Sequence, residues 1–108
     1  MKVSNYLETE ATLELPGVLK REVFNASDRA PNSCMRVFEL EPGSSTPSHS
    51  HAWEHQVYVL SGNGVVEGLA GEREISRDSV VFVVPEEHHC FKNTSKETLR
   101  FICVIPLQ

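Results

Sequence analysis

The sequence lacks the features that mark nucleic-acid-binding and membrane-spanning proteins. Its 10 Lys and Arg residues are outnumbered by 15 Asp and Glu residues. No run of basic residues is available to bind a phosphate backbone. The longest apolar run, Val80 to Val84, is far too short to cross a bilayer. We therefore expect no nucleic-acid partner and no membrane partner.

Cysteine is also scarce, and the N-terminal residues do not resemble a secretory leader. The three cysteines, Cys34, Cys90 and Cys103, are odd in number and show no CxxC spacing, which argues against a disulfide framework. The N-terminal residues, MKVSNYLETEATLELPG, carry acidic residues and no apolar stretch of the signal-peptide type. These absences predict a cytoplasmic protein.

Helical periodicity is nearly absent, and short strand-like runs take its place. They are rich in Val, Ile, Phe and Tyr and are separated by Gly, Pro, Asn and Ser. The runs cover residues 18–24, 35–40, 56–60, 64–67, 80–84 and 99–105. A chain of 108 residues corresponds to one domain. The pattern predicts a single all-β domain, either a sandwich or a barrel.

All five histidines lie in two short stretches, 49–55 and 88–89. His49, His51 and His55 share the same parity, so an extended chain would direct them to one side. His89 on a partner strand would complete a set of four imidazoles. Neutral imidazole binds Zn, Cu, Fe and Ni and tolerates Mn. We predict one divalent metal ion per chain, with His88 at the rim because it alternates with His89.

The histidines also allow two other interpretations. A single histidine is more often a surface or hydrogen-bonded residue than a metal ligand, but the clustering beside apolar strands favours ligands. Residues 51–55 also spell HxxEH, a zinc-peptidase pattern that requires a helix. Pro47 before it and the strand-like run 56–60 after it oppose a helix there.

With these motifs in view, the chain resembles a cupin. Gly43, His49, His51 and Gly62 match the spacing of that family's first motif, and His55 replaces its usual glutamate. The matches to the second motif are Pro85, His89 and Asn93, whereas Arg77 or Asp78 and Glu87 stand where glycines are usual. The likeness covers Ser33 to Leu107 and is greatest to small cupins with four histidine ligands.

This resemblance implies a double-stranded β-helix, the jelly-roll barrel of cupins. Residues 1–108 would then be one cupin domain, with 33–107 as the barrel core. Residues 1–17 would be an N-terminal arm, either disordered or paired with another subunit. Because sheet edges must be covered, we expect a homodimer in which the segment through Val23 exchanges or packs.

The expected function is metal-dependent chemistry on a small oxygen-bearing organic molecule. Four neutral ligands leave the site at a charge of +2 and leave open positions for substrate. Dioxygenase-type oxidation with Mn or Fe is expected, and Ni, Cu or Zn stay open. The alternatives are a non-redox binder of a sugar or acid, and an isomerase or lyase.

Parity along two strands adds candidates for the cavity. Arg36 would anchor a carboxylate or enolate if it faces inward, or reach solvent if it does not. Cys103 faces the barrel and is either functional or a small buried apolar residue. Trp53 is expected to pack, Cys90 to face outward, and an apolar wall to form from Val57, Val59, Phe91 and Phe101.

Overall fold

The computed structural model describes residues 1–108, and its regular structure is all β apart from two short 3-10 turns, Tyr6–Glu8 and Ala26–Asp28. The strands are β1 Thr12–Leu15, β2 Val18–Phe24, β3 Ser33–Leu40, β4 His55–Ser61, β5 Asn63–Gly68, β6 Gly71–Ser76, β7 Val80–Val83, β8 Cys90–Lys92 and β9 Leu99–Pro106. No helix has the length and apolarity that a membrane span requires.

The strands form two antiparallel sheets that pack as a jelly roll. The larger sheet has the order β1-β2-β3-β9-β4-β7, and the smaller one has the order β6-β5-β8. Each of the six predicted runs falls on a strand, and the expected all-β fold is confirmed. Three strands were not predicted: β1, β6 and β8.

The core lies between the sheets and follows the expected alternation. Every second residue of β9 is buried, from Leu99 through Phe101 to Cys103. Phe101 stacks on Phe38 of β3, with ring centroids 5.1 Å apart. Val57 and Val59 of β4 belong to the same cluster. Burying these side chains stabilises the fold by about 1.5–3 kcal/mol each.

Two close contacts fix the short strand that follows the second histidine stretch. Asn93 is 2% exposed, and its Nδ2 donates to the carbonyl oxygens of Leu40 and Glu97 at 2.8 and 2.7 Å. Gly64 of β5 lies so close to β8 that a Cβ there would be 2.2 Å from the Lys92 carbonyl oxygen. Both contacts fix β8 against the barrel, and with it the residue that precedes β8, His89.

Residues of the segment 1–17 contact the barrel of the same chain. β1 pairs with β2 of the same chain across the turn Pro16-Gly17, where Gly17 has a φ of 82°. Tyr6 lies on the outer face of the large sheet, and Arg100 donates to its hydroxyl at 2.7 Å. The homodimer, and any role of this segment in it, stays a prediction.

Candidate metal centre and cavity

The two histidine stretches are joined by an antiparallel backbone ladder. The Thr46 amide donates a hydrogen bond to the Phe91 carbonyl oxygen at 2.9 Å, and the Phe91 amide donates to the Thr46 hydroxyl at 2.8 Å. Further along, His49 and His89 exchange both backbone hydrogen bonds. The amide of Glu86 donates to the His51 carbonyl oxygen at 2.6 Å. These bonds set the backbone positions of three of the four predicted ligands.

The structure brings the four predicted imidazoles together in a closed ring. Centroids of successive rings are separated by 4.2 Å for His49 and His51, 5.3 Å for His51 and His55, 4.6 Å for His55 and His89, and 5.5 Å for His89 and His49. The shared parity of residues 49, 51 and 55 explains only part of this arrangement of the rings. His55 begins β4, but His51 lies in irregular chain between the His49 bridge and that strand.

In the conformation described, no three His, Cys, Asp or Glu side chains surround a common ion position. His49 Nε2 and His51 Nε2 instead face each other at 3.2 Å. That separation is close to the roughly 3 Å expected between adjacent donors of an ion with metal–nitrogen distances of about 2.1 Å. This one pair of nitrogens therefore already has the separation that two adjacent ligands of an ion require.

Two further observations on the histidine side chains support the fit of an ion. His89 Nδ1 donates to the Glu87 carbonyl oxygen at 2.9 Å, so its Nε2 carries the free lone pair, as in many metal sites. His55 is 4% exposed, and its Nδ1 has no hydrogen-bond partner. A buried imidazole nitrogen without a partner is unfavourable unless a ligand satisfies it. The donor set suits Mn, Fe, Ni, Cu or Zn.

Burial in the cavity favours the neutral form of three of the imidazoles, those of His49, His51 and His55. Burial lowers the pKa of His55 to about 4, and the neighbouring His89 and Arg36 add to the shift. Burial also lowers the pKa values of His49 and His51. Neutral imidazoles have the free lone pairs that metal binding requires.

The ring of histidines forms part of the wall of a cavity of about 250 Å³. Phe91 and Phe101 belong to the apolar wall as expected, whereas Val57 and Val59 lie in the core instead. Trp53 does more than pack. Its ring stacks on His51 at 4.4 Å, and its Nε1 is buried without a hydrogen-bond partner. The wall thus offers one indole donor to a bound molecule.

Arg36 and Cys103, the two other candidates, meet in this cavity. They are cross-strand partners on β3 and β9, and the Arg36 Nη2 atom lies 2.9 Å from the Cys103 sulfur. The guanidinium stacks over Phe38 at 5.1 Å, and its Nε is buried without a partner. Burial raises the pKa of the Cys103 thiol, so it stays protonated at neutral pH.

Arg36 has no counter-ion within the chain. The six salt bridges of the structure do not include it. Its cross-strand neighbour on β2, Glu22, is turned toward Asn25, whose Nδ2 donates to it at 3.2 Å. A partly buried cation without a partner is costly. The cavity therefore favours an anionic ligand.

Two expectations about neighbouring residues have opposite outcomes. His88 is exposed, and its Nε2 lies 2.7 Å from the Ser48 hydroxyl outside the cavity, in agreement with a rim position. Cys90 was expected to face outward, and this was wrong: it is 4% exposed. Ser48 and Glu67 lie against its thiol, because the 43–49 segment covers that face of β8.

The cavity also contains two charged residues that the sequence motifs did not predict, Glu14 and Lys20. They lie on β1 and β2, in or next to the segment treated as an arm. The signal was the turn Pro16-Gly17 between two apolar runs, which is typical of a hairpin.

Comparison with known proteins places these observations in a family. The cupin domain family matches residues 36–105. The "Oxalate-binding protein" of Thermotoga maritima is 29% identical over 107 residues, which are 98% of this chain and 85% of that protein.

Solved structures give the same result for the fold. The polyketide cyclase RemF of Streptomyces resistomycificus has a TM-score of 0.92 and 27% identity, over 100% of this chain and 80% of its own. A protein of Thermotoga maritima described as a predicted oxalate decarboxylase has a TM-score of 0.86 and 25% identity, over 99% and 100% of the two chains.

Proposed function

The chain belongs to the cupin family, and from that premise we propose that it is a mononuclear metal protein acting on a small carboxylic acid. His49, His51, His55 and His89 would hold the ion. The observation that carries the proposal is the closed ring of four imidazoles in a cavity that also contains the guanidinium of Arg36, which has no counter-ion. A divalent ion bound there would supply Lewis-acid polarisation of an oxygen donor.

The residues of the chain have separate tasks in this proposal. Arg36 binds and orients an anionic oxygen through its free Nε, and the stacking on Phe38 keeps the guanidinium in place. Trp53 Nε1 is a second buried donor for the same molecule. The Phe91 and Phe101 rings exclude water from the cavity floor. Likeness to an oxalate-binding protein supports a small acid as the ligand.

Calorimetry with oxalate as the probe tests this proposal. Oxalate should bind to protein loaded with Mn(II), and binding should be lost after chelation. Arg36→Met should weaken oxalate binding by at least about tenfold, because a charge-assisted bidentate contact is lost. Lys96→Met, which removes an exposed loop cation, is the matched control. Equal affinity in loaded and chelated protein would contradict the proposal.

The oxidative reaction expected from the sequence stays a prediction. Oxygen uptake by Fe(II)-loaded protein in the presence of small acids would distinguish it from the two non-redox alternatives, acid binding and isomerase or lyase chemistry. Consumption of dioxygen without a change in the acid would count against a dioxygenase.

A further inference from the structure

Two charged residues that the proposed function does not use line the same cavity. Glu14 of β1 and Lys20 of β2 form a salt bridge in which Nζ and Oε1 are 2.5 Å apart. Glu14 is the only carboxylate among the fourteen residues of the wall. A cavity that binds an acid gains nothing in affinity from a carboxylate, so this residue calls for another explanation.

Glu14 reaches the cavity because β1 is irregular at this residue. Leu13 pairs with Leu19 and Leu15 pairs with Val18, which leaves Glu14 as the unpaired residue of a bulge. Bulges redirect side chains and occur often beside active sites. The exposed fractions of Leu13 and Leu15 are 63% and 39%. The strand therefore turns its charged residue inward and its leucines outward, a reversal of the pattern that stability alone would favour.

Lys20 meets Glu14 through ordinary strand alternation. It is two residues from Val18, which is fully buried, so both side chains lie on the inner face of the large sheet. The ion pair with the ammonium group fixes the position of the Glu14 carboxylate at the cavity wall. The Glu14 side chain keeps 28% of its surface exposed, which allows proton exchange with solvent at the mouth of the cavity.

We propose that Glu14 is the proton-transfer residue of this site and removes a proton from the carbon next to the carbonyl group of a small 2-oxo acid. The inference rests on the proposed function. The other polar groups of the wall are already engaged or hold their proton, and Lys20 is held in the salt bridge with Glu14. The four imidazoles are assigned to the metal, and a guanidinium such as that of Arg36 cannot lose its proton. The Cys103 thiol is protonated because burial raises its pKa.

The step balances without an oxidant or a second reactant. The C–H bond breaks, and its proton moves to the Glu14 carboxylate. The electron pair forms the C=C bond of an enolate, and the carbonyl oxygen takes up the negative charge. Arg36, with its unpartnered Nε, stabilises that oxygen. Return of a proton from Glu14 restores the 2-oxo acid, so in D2O the acid would exchange hydrogen for deuterium.

Proton NMR in D2O measures the loss of the methyl signal of pyruvate over time. The reaction contains Mn(II)-loaded protein, and the ion is removed from each sample before its spectrum is recorded. Wild type should exchange the methyl protons faster than buffer. Glu14→Gln should lower the enzymatic rate by roughly 100-fold or more, the usual contribution of a general base. Glu10→Gln, an exposed residue just before β1, should leave it unchanged. Glu14→Asp should retain part of the rate.

Calorimetry with Mn(II) and with pyruvate on each variant separates the two proposals. Glu14→Gln should bind both normally, because the residue is neither a ligand of the ion nor an anchor of the acid. Binding without exchange in wild type would overturn this inference alone, as would undiminished exchange in Glu14→Gln. Failure of wild type to bind pyruvate while it binds Mn(II) and oxalate would overturn this inference alone, whereas failure to bind Mn(II) or oxalate would overturn the proposed function and this inference with it.

Discussion

His49 and His89 are joined by a reciprocal pair of backbone hydrogen bonds, with N–O distances of 3.1 and 2.9 Å. The residues lie 40 positions apart in the sequence, yet this bridge makes them direct neighbours. Their imidazole centroids are consequently 5.5 Å apart, on the cavity side of the ladder. The candidate metal centre thus depends on a strand pairing, and side-chain substitutions can be interpreted against a fixed backbone.

One prediction concerns the identity of the metal ligands. Wild type should bind one divalent ion per chain, and His51→Ala should lose most of it, because one of four donors is removed. His88→Ala is the matched control, since its ring contacts Ser48 outside the cavity and should not affect the ion. Elemental analysis after dialysis measures the stoichiometry. Loss of metal in His88→Ala with retention in His51→Ala would show that the assignment is wrong.

Folding should not depend on the ion. Leu99, Val59 and Leu40 of the apolar core are fully buried, and none of them belongs to the cavity wall that the histidines form. Unlike a zinc finger, the metal-free chain should therefore keep its strands. Far-UV circular dichroism after chelation should retain the β spectrum. A random-coil spectrum would instead identify the ion as structural.

The stability of the metal-free protein should fall in mild acid. In the folded chain the pKa of His55 is about 4, below the ordinary value of 6.5 that applies in the unfolded chain. Above pH 6.5 the residue is neutral in both the folded and the unfolded state, so its titration does not change the free energy of unfolding. As the pH falls from 6.5 toward 4, the unfolded chain takes up a proton that the folded chain does not, so the free energy of unfolding decreases.

Urea unfolding at about pH 7.5 and about pH 5 measures this effect. The midpoint should be lower at the more acidic pH, and His49 and His51 should contribute in the same direction because burial lowers their pKa values too. His55→Gln should reduce the difference between the two midpoints. A midpoint that rises on acidification would contradict the cause assigned here.

The chain is expected to be a homodimer that exchanges or packs the segment through Val23, and the structure adds a second candidate surface, the outer face of β4 and β7. Tyr58, Val80 and Phe82 there are 44%, 73% and 56% exposed. An uncharged apolar strip of this kind is typical of an interface. Light scattering should give twice the 12.1 kDa chain mass, and Phe82→Glu should shift it toward the monomer. Lys96→Glu, in an exposed loop, should not. A monomeric wild type at tens of micromolar would refute the prediction.

Much of the architecture could be predicted from local pattern. The predicted alternation of inward and outward residues over 99–105 agrees with the alternating burial along β9, and the predicted run 56–60 lies within β4. The missed strands carry weak patterns for physical reasons. β6 buries only Ile75, and β8 has three residues. Such strands are stabilised by their neighbours in the sheet rather than by their own hydrophobic periodicity.

The sequence by itself determined the types and spacing of the donors, because imidazole chemistry and the parity of His49, His51 and His55 are properties of the chain. Only the tertiary structure decided which other residues share the cavity with these imidazoles. Arg36 lies in the cavity because its cross-strand partner is Cys103, and Glu14 enters it because β1 bulges there. The burial of Cys90 depends on a segment more than 40 residues away. Register, bulges and covering loops are long-range properties, and no local pattern encodes them.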